Sequence, residues 1–288
     1  MELQIAGIQH TQRRRSSSSV FTLCAVIALS ALTACSTSHG GSTANRISIS
    51  GSTSVSPFAE HLAEQYQKQH AGTAINVQSL GSTAGIQAAI NGVAEIGMSS
   101  RDLKPEEADK LDQLVIARDA LAVIVHPDNP VASLTLTEVQ QIFLGQITNW
   151  NALGGVDAPI VLVTREAGSG TFSAFEELLL KGNHPVASAL RQGSNGAIRQ
   201  VVSEDPNAIG YISLGIVDAT VKAVAIDQVQ PSLAHVLEKK YKFVRPFLFV
   251  WRKGDTLSPL AQGYVDYVLS PAGQSELERL GLVRGKVQ

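Results

Sequence analysis

Leu121-Ala-Val-Ile-Val125 is a run of five apolar residues with no polar residue in alternation. A strand of that composition is buried on both faces, as in sheets covered by helices on both sides, which are parallel as a rule. Shorter strand patterns around it alternate with helix patterns. Ile47 and Ile49 alternate with serines, and Phe58, Leu62 and Tyr66 then recur at fourfold spacing along one helix face. Ile75 and Val77 read as a strand, and Ile86, Ile90 and Val93 as a helix. A strand over Ile160–Val163, helices over Thr171–Leu180 and near Ala197–Val202, and a strand over Phe247–Val250 continue the series. The expectation is an α/β architecture with mostly parallel sheets.

Two proline breaks interrupt it. His126-Pro-Asp-Asn-Pro130 and Arg245-Pro246 are held extended by proline and are candidate crossings between two lobes, or else two ordinary surface loops. Glu238–Lys242 is a charge run that reads as a solvated helix end.

Composition narrows the function classes. The chain has 288 residues, 44% hydrophobic and 17% charged, enough for one large domain or two medium ones and too apolar for bulk disorder. A net charge of −2 gives no footprint for nucleic acid or acidic lipid. Aromatics at 5% leave little surface for stacking bases or sugars. The only cysteines, Cys24 and Cys35, exclude a disulfide framework and a four-cysteine zinc site. No metal or cofactor is expected.

Residues 1–34 read as an address. Arg13, Arg14 and Arg15 precede the apolar stretch Val20–Ala31, which is too short to span a bilayer of roughly 30 Å and suits a signal-peptide core. Leu32-Thr-Ala-Cys35 looks like a lipoprotein signal, in which the Cys35 thiol accepts a diacylglyceryl chain after the cut; the alternative is a simple signal peptide. Residues 35–45 would be the lipidated cysteine and a Gly/Ser/Thr tether reaching roughly 16–19 Å. Removal of residues 1–34 leaves 20 basic and 24 acidic residues, so a bound anion would have to be held by local dipoles.

Those dipoles are available. Gly51-Ser-Thr-Ser-Val-Ser-Pro57, with Ser56 as N-cap and Pro57 at the first helical position, opens one helix. Gly81-Ser-Thr-Ala-Gly85, Gly168-Ser-Gly-Thr171 and Gly193-Ser-Asn-Gly196 open three more. A helix N-terminus presents unpaired N–H groups and about half a positive charge. Taken singly, each turn reads as plain capping. Four together, one just after Arg165, point to a shared tetrahedral oxyanion. Desolvating a charge costs about 20 kcal/mol in the Born limit and several after relaxation. Hydrogen bonds to it return roughly 1.5–3 kcal/mol each, so around ten donors are needed. Arg165 is the candidate cation, its planar fork suited to phosphate or sulfate oxygens.

The segments Ile49–Pro57, Gly81–Gly85, Ile96-Gly-Met-Ser-Ser-Arg101, Arg165-Glu-Ala-Gly-Ser-Gly-Thr171 and Asn207-Ala-Ile-Gly-Tyr-Ile212 resemble the phosphate-binding lipoproteins of bacterial phosphate ABC transporters, over about residues 46–285. The resemblance implies a type II periplasmic-binding-protein fold. Its two α/β lobes, residues 46–123 with 246–288 and residues 124–245, would be joined by two crossing strands and close on dehydrated phosphate. It implies Thr53, Ser54, Ser82, Arg165, Ser169, Gly170 and Thr171 as phosphate ligands, with Ser194 and Asn195 as weaker candidates. It also implies membrane permease subunits of the transporter as partners, and the chain is expected as an extracytoplasmic, lipid-anchored monomer.

Two positions depart from the family. Ser100 stands where longer-pattern members place an aspartate that accepts the proton of hydrogen phosphate and repels sulfate, and Ala167 replaces a second aspartate. Glu166 or Asp102 is the expected substitute. Arg101, next to Ser100, either binds the anion or pairs with a surface carboxylate.

Rival readings are a phosphate sensor, a sulfate or molybdate binder, and a secreted phosphoester hydrolase using Ser169 or Ser54. The hydrolase lacks support: no histidine shows metal-ligand spacing, and neither a Gly-x-Ser-x-Gly elbow nor a Gly-x-x-x-x-Gly-Lys loop occurs. The expectation is a binding protein without enzyme activity.

Overall fold

The computed structural model describes residues 45–285. The address, Cys35 and the tether through residue 44 lie outside them. β1 (Arg46–Gly51), α1 (Ser56–Gln69), β2 (Ala74–Ser79), α2 (Ser82–Ile90), β3 (Ile96–Ser99) and the one-turn α3 (Pro105–Ala108) lead into the long β4 (Leu111–Val125). Next come β5 (Ser133–Leu134), α4 (Leu136–Phe143), β6 (Val161–Arg165), α5 (Gly170–Leu178), β7 (Leu190–Gln192), α6 (Asn195–Glu204) and β8 (Ala208–Ser213). The chain ends with β9 (Lys222–Ala223), β10 (Ala225–Ile226), α7 (Leu233–Leu237), β11 (Val244–Arg252), α8 (Pro259–Leu269), α9 (Pro271–Arg279) and β12 (Val283–Arg284).

The main sheet runs β2-β1-β3-β11-β4-β8-β6-β7, with β9 and β12 added to β4. Its two flanks, β2-β1-β3 and β8-β6-β7, are parallel. Its centre is not: β11 runs antiparallel to β3 and β4, and β4 antiparallel to β8. The sheet is therefore mixed rather than mostly parallel. Leu121–Val125 is fully buried as expected, but its partners β8 and β9 run the other way. Leu121, Val123 and Val125 pack into one apolar cluster, while Ala122 and Ile124 pack into another on the opposite face. The apolar run reports burial on both faces and carries no information about partner direction.

β4 serves two neighbours along its length. Residues 111–120 pair with β11, and Leu121–Val125 pair with β8. On the β11 side, α1, α8 and α9 bury Phe58, Leu62, Tyr264 and Leu277 against Ile47, Ile49 and Phe249, while α2 packs Ile86 and Ala89 on Leu248 and Val250 across the sheet. On the β8 side, Phe143, Phe175 and Tyr211 pack ring against ring, with Trp150 in the same apolar cluster. The result is a two-lobed α/β body with each flank covered on both faces.

The proline breaks separate. His126–Pro130 is a turn closed by Asn129 N–H on the His126 carbonyl at 3.0 Å, with the Asn129 side chain donating to Pro206 O at 3.3 Å. It is a loop. Arg245 and Pro246 lie inside β11, opposite Asp119 and Arg118.

Candidate functional site

The four Ser/Thr/Gly turns form at helix N-termini, three of them as their cap chemistry dictates. Ser169 caps α5, accepting from the amides of Thr171 at 3.1 Å and Phe172 at 3.2 Å, and Ser194 caps α6, accepting from Ala197 N–H at 3.0 Å. Gly81 caps α2 with φ +96°, outside the range of an L side chain. Gly85 has a separate role: a Cβ there would sit 2.4 Å from Gly51 Cα, so its absence lets α2 lie directly on β1. The first helix differs from expectation. Val55 is the N-cap and Ser56 is already helical; the Ser56 hydroxyl donates back to the Ser52 carbonyl at 2.9 Å. That carbonyl also accepts from the amides of Val55 and Ser56, so winding begins at Ser52 and leaves no capping task for Ser56.

These N-termini converge. Ser54 Oγ lies 2.8 Å from Thr171 Oγ1 and accepts from Asn195 Nδ2 at 2.8 Å, joining α1, α5 and α6. Thr83 N–H donates to Gly168 O at 3.1 Å, bringing α2 to the α5 turn. Ser82 Oγ accepts from Ser100 N–H at 3.0 Å and lies 3.3 Å from Ser100 Oγ. Gly170 fits between them so closely that a Cβ would stand 2.3 Å from Ser82 Oγ and 2.7 Å from Ser100 Oγ. Thr53, Ser54, Ser82, Ser100, Ser169, Gly170, Thr171 and Asn195 thus form one cluster, with Ser194 at its edge, half-buried behind its cap.

Arg165, 1% exposed at the end of β6, is the cluster's unpaired cation. Its Nε donates to Gln192 O at 3.1 Å, and its Nη2 to Gly193 O at 2.8 Å and Thr53 Oγ1 at 3.1 Å. Its Nη1 is buried and has no partner. Burial pushes the guanidinium down to about 10; Tyr211 opposes this, Arg245 reinforces it and Glu166 opposes it. The group is still charged at neutral pH. Tyr211, stacked on Phe175 at 3.7 Å, bonds Thr164 Oγ1 and the Arg165 amide, tying β6 to α5 behind the site.

Arg101 does not join the cluster. Its two terminal nitrogens grip Glu107 at 2.7 and 2.8 Å, and Glu107 in turn accepts from the Lys104 amide that opens α3. Of the two readings of Arg101, carboxylate pairing is the one observed, and the partner is buried rather than on the surface. Burial would raise the Glu107 carboxyl, but the bonds from Arg101 and Lys104 leave it lowered. Of the two substitute carboxylates, Glu166 stands at the rim, with its oxygens 3.9 Å from where Cβ atoms of Gly81 and Gly193 would lie. Asp102 is exposed, and its backbone carbonyl supports Arg101.

Sequence reasoning missed a second arginine. Arg245 is bound twice by Asp119 Oδ2, at 3.0 and 2.9 Å, and donates to Thr171 Oγ1 at 2.8 Å, Ser54 Oγ at 3.2 Å and Ser100 O at 3.4 Å. Both members of the pair are nearly inaccessible. Burial raises the Asp119 carboxyl, opposed by Arg245 and by Ser213, whose hydroxyl donates to Asp119 Oδ1 at 2.8 Å. Ser52, which donates to Ser100 Oγ at 2.9 Å, completes the network. The available signal was an arginine beside Pro246 in a strand otherwise wholly apolar from Phe247 to Val250.

Chemically the cluster offers hydroxyls, helix-terminal amides and one unpaired guanidinium, which suits a small oxyanion. Among the described residues no group of three or more His, Cys, Asp or Glu could hold a metal ion. No helix among them is long and apolar enough to cross a membrane.

A family model described as a PBP superfamily domain matches residues 36–272. The chain belongs to the periplasmic-binding-protein superfamily. Within that superfamily, a crystal structure from Clostridium perfringens, of a phosphate ABC transporter substrate-binding protein with bound phosphate, is 44% identical with a TM-score of 0.81. That match covers 84% of this chain and all of the other. An ABC-type phosphate transport receptor from Vibrio cholerae is 37% identical with a TM-score of 0.69, covering 82% and 99%. The phosphate-binding protein PstS of Borreliella burgdorferi is 30% identical over 249 residues, covering 82% of this chain and 89% of the relative.

Proposed function

We propose that this protein captures inorganic phosphate between its lobes and delivers it to an ABC importer. The carrying observation is Arg165: a buried cation whose Nη1 has no partner, surrounded by Thr53, the Gly193 turn and the N-termini of α5 and α6. Relatives named for phosphate binding and transport support the choice of anion. Residues 46–123 with 246–288 would form one lobe and 124–245 the other, with Thr53, Ser54, Ser82 and Ser100 facing Arg165, Ser169, Gly170, Thr171, Ser194 and Asn195. Their present contacts support a closed arrangement.

Glu166 is the acceptor we assign to the proton of hydrogen phosphate, since Ser100 and Ala167 supply no carboxylate and Glu166 is the acidic group at the rim. Cys35 would carry the lipid that keeps the protein at the membrane. In the binding network the carboxylate bonded to a serine, Asp119 on Ser213, is already clamped by Arg245, which supports a transport role without catalysis.

Calorimetric titration of the anion-stripped protein with phosphate and then sulfate, at two pH values, tests this reading. Tight phosphate binding with little response to sulfate is expected. Equal binding of both would replace the phosphate assignment with a general tetrahedral oxyanion.

A further inference from the structure

The hydrogen bonds around Ser54 and Thr171 have a direction that the residue types alone do not reveal. A hydroxyl has two lone pairs and one proton. Ser54 Oγ receives Asn195 Nδ2 at 2.8 Å and Arg245 Nη2 at 3.2 Å, which fills both lone pairs. The Asn195 amide is oriented by Ser213 N–H, which donates to its Oδ1 at 3.3 Å. The 2.8 Å contact between Ser54 and Thr171 must then carry the Ser54 proton. Thr171 Oγ1, receiving Ser54 and also Arg245 Nη1 at 2.8 Å, has no lone pair left, and its own proton points away from the network. Thr53 is filled in the same way by Arg165 Nη2 at 3.1 Å and Asn195 Nδ2 at 3.4 Å.

We propose that Arg245, clamped by Asp119, is a positioning residue of the anion site: by filling lone pairs of Ser54 and Thr171 it commits their proton relay to the bound oxyanion. This rests on the phosphate reading above and adds a specificity element to it. At Thr53, Ser54 and Thr171 the cleft offers no free lone pair, so this wall takes unprotonated oxygens and turns the protonated oxygen of hydrogen phosphate toward the rim. Arg245 adds no net charge to the site, because Asp119 neutralises it at 2.9 Å. Asp119 and Arg245 also face each other across β4 and β11, so strand pairing itself sets the fork.

The test is a double-mutant cycle read on phosphate affinity, with anion-free thermal stability measured alongside. Arg245→Lys keeps the charge opposite Asp119 and loses the two-pronged donation. In the otherwise unsubstituted protein it is expected to weaken phosphate binding at least about tenfold. In a Ser54→Ala/Thr171→Val background, with no hydroxyls left to orient, the same change is expected to weaken binding less than about threefold. Should Arg245→Lys fail to fold, Asp119→Asn/Arg245→Gln takes its place, since it removes both buried charges together. An equal loss in both backgrounds would overturn the inference and leave the pair a structural rivet. Failure of the unsubstituted protein to bind phosphate would instead overturn the functional reading.

Discussion

Replacing Arg165 by glutamine separates what the site costs the fold from what it gives the ligand. A base pushed down to about 10 by burial is more easily neutral in the folded state. Holding it charged therefore subtracts stability at every pH below 10, by about 3 kcal/mol at 1.36 kcal/mol per pH unit, and the deficit fades as pH rises past 10. Glutamine removes that deficit at pH 7. It also forfeits the three bonds to Gln192 O, Gly193 O and Thr53 Oγ1, worth about 1.5 kcal/mol each at the low end for a charged donor. The two effects oppose each other, so anion-free stability should fall by only about 1–2 kcal/mol.

Phosphate binding should not be spared. The two N–H groups of the unpartnered Nη1 stand to make charge-assisted bonds at roughly 1.5–3 kcal/mol each, so the loss is about 3 kcal/mol or a hundredfold in Kd. Thermal unfolding with and without phosphate, beside calorimetry, reads both quantities, because ligand stabilisation follows the affinity by mass action. A variant that loses more than about 3 kcal/mol of anion-free stability while binding phosphate normally would refute the reasoning and make Arg165 a brace for the Gln192–Gly193 turn.

Gly170→Ala places a Cβ 2.3 Å from Ser82 Oγ, on the opposite wall of the cluster. Phosphate affinity should fall by roughly 1–3 kcal/mol while the unfolding midpoint without phosphate stays near that of the unsubstituted protein, as read by calorimetry and thermal melts. Arg101→Met leaves the buried Glu107 carboxylate unpaired and should cost roughly 3–5 kcal/mol of stability at pH 7. Because the folded Glu107 carboxyl is lowered, the pair's contribution is complete above the ordinary carboxyl range and disappears as pH falls through the lowered value. Urea melts at pH 7 and in strong acid should show the deficit closing, and phosphate affinity should not change. Cys35→Ala should release the protein from the membrane fraction; retention would refute the anchor.

What the sequence disclosed is what short-range chemistry determines. Ser169, Ser194 and Gly81 act on amides or dihedrals within three residues, and each opens its helix where the sequence says it should. Arg165 was visible because it precedes such a turn in a recognisable motif. Ser56 misled because the turn before it is already wound from Ser52, a matter of backbone path rather than residue type. Arg101 was ambiguous because its partner Glu107 lies six residues on, at the third position of α3, where a carboxylate also serves the helix start. The Asp119–Arg245 pair was beyond reach: 126 positions separate the two residues, and only the β4–β11 pairing makes them neighbours. The same pairing made the sheet mixed, which no apolar run encodes.

β11 also sets an order of events in the life of the chain. It lies between β3 and β4, strands separated by only about a dozen residues in sequence, and is itself contributed from residue 244 onward. Until the chain extends past residue 244, β3 and the first ten residues of β4 have no partner at their shared edge. The β2-β1-β3 flank is thus among the last parts of the sheet able to close, and it must wait for a strand from far along the chain. Such non-local closure makes for slow assembly. It also means that a growing or partly threaded chain stays open until its C-terminal segment arrives, so the fold reports the completeness of the chain that forms it.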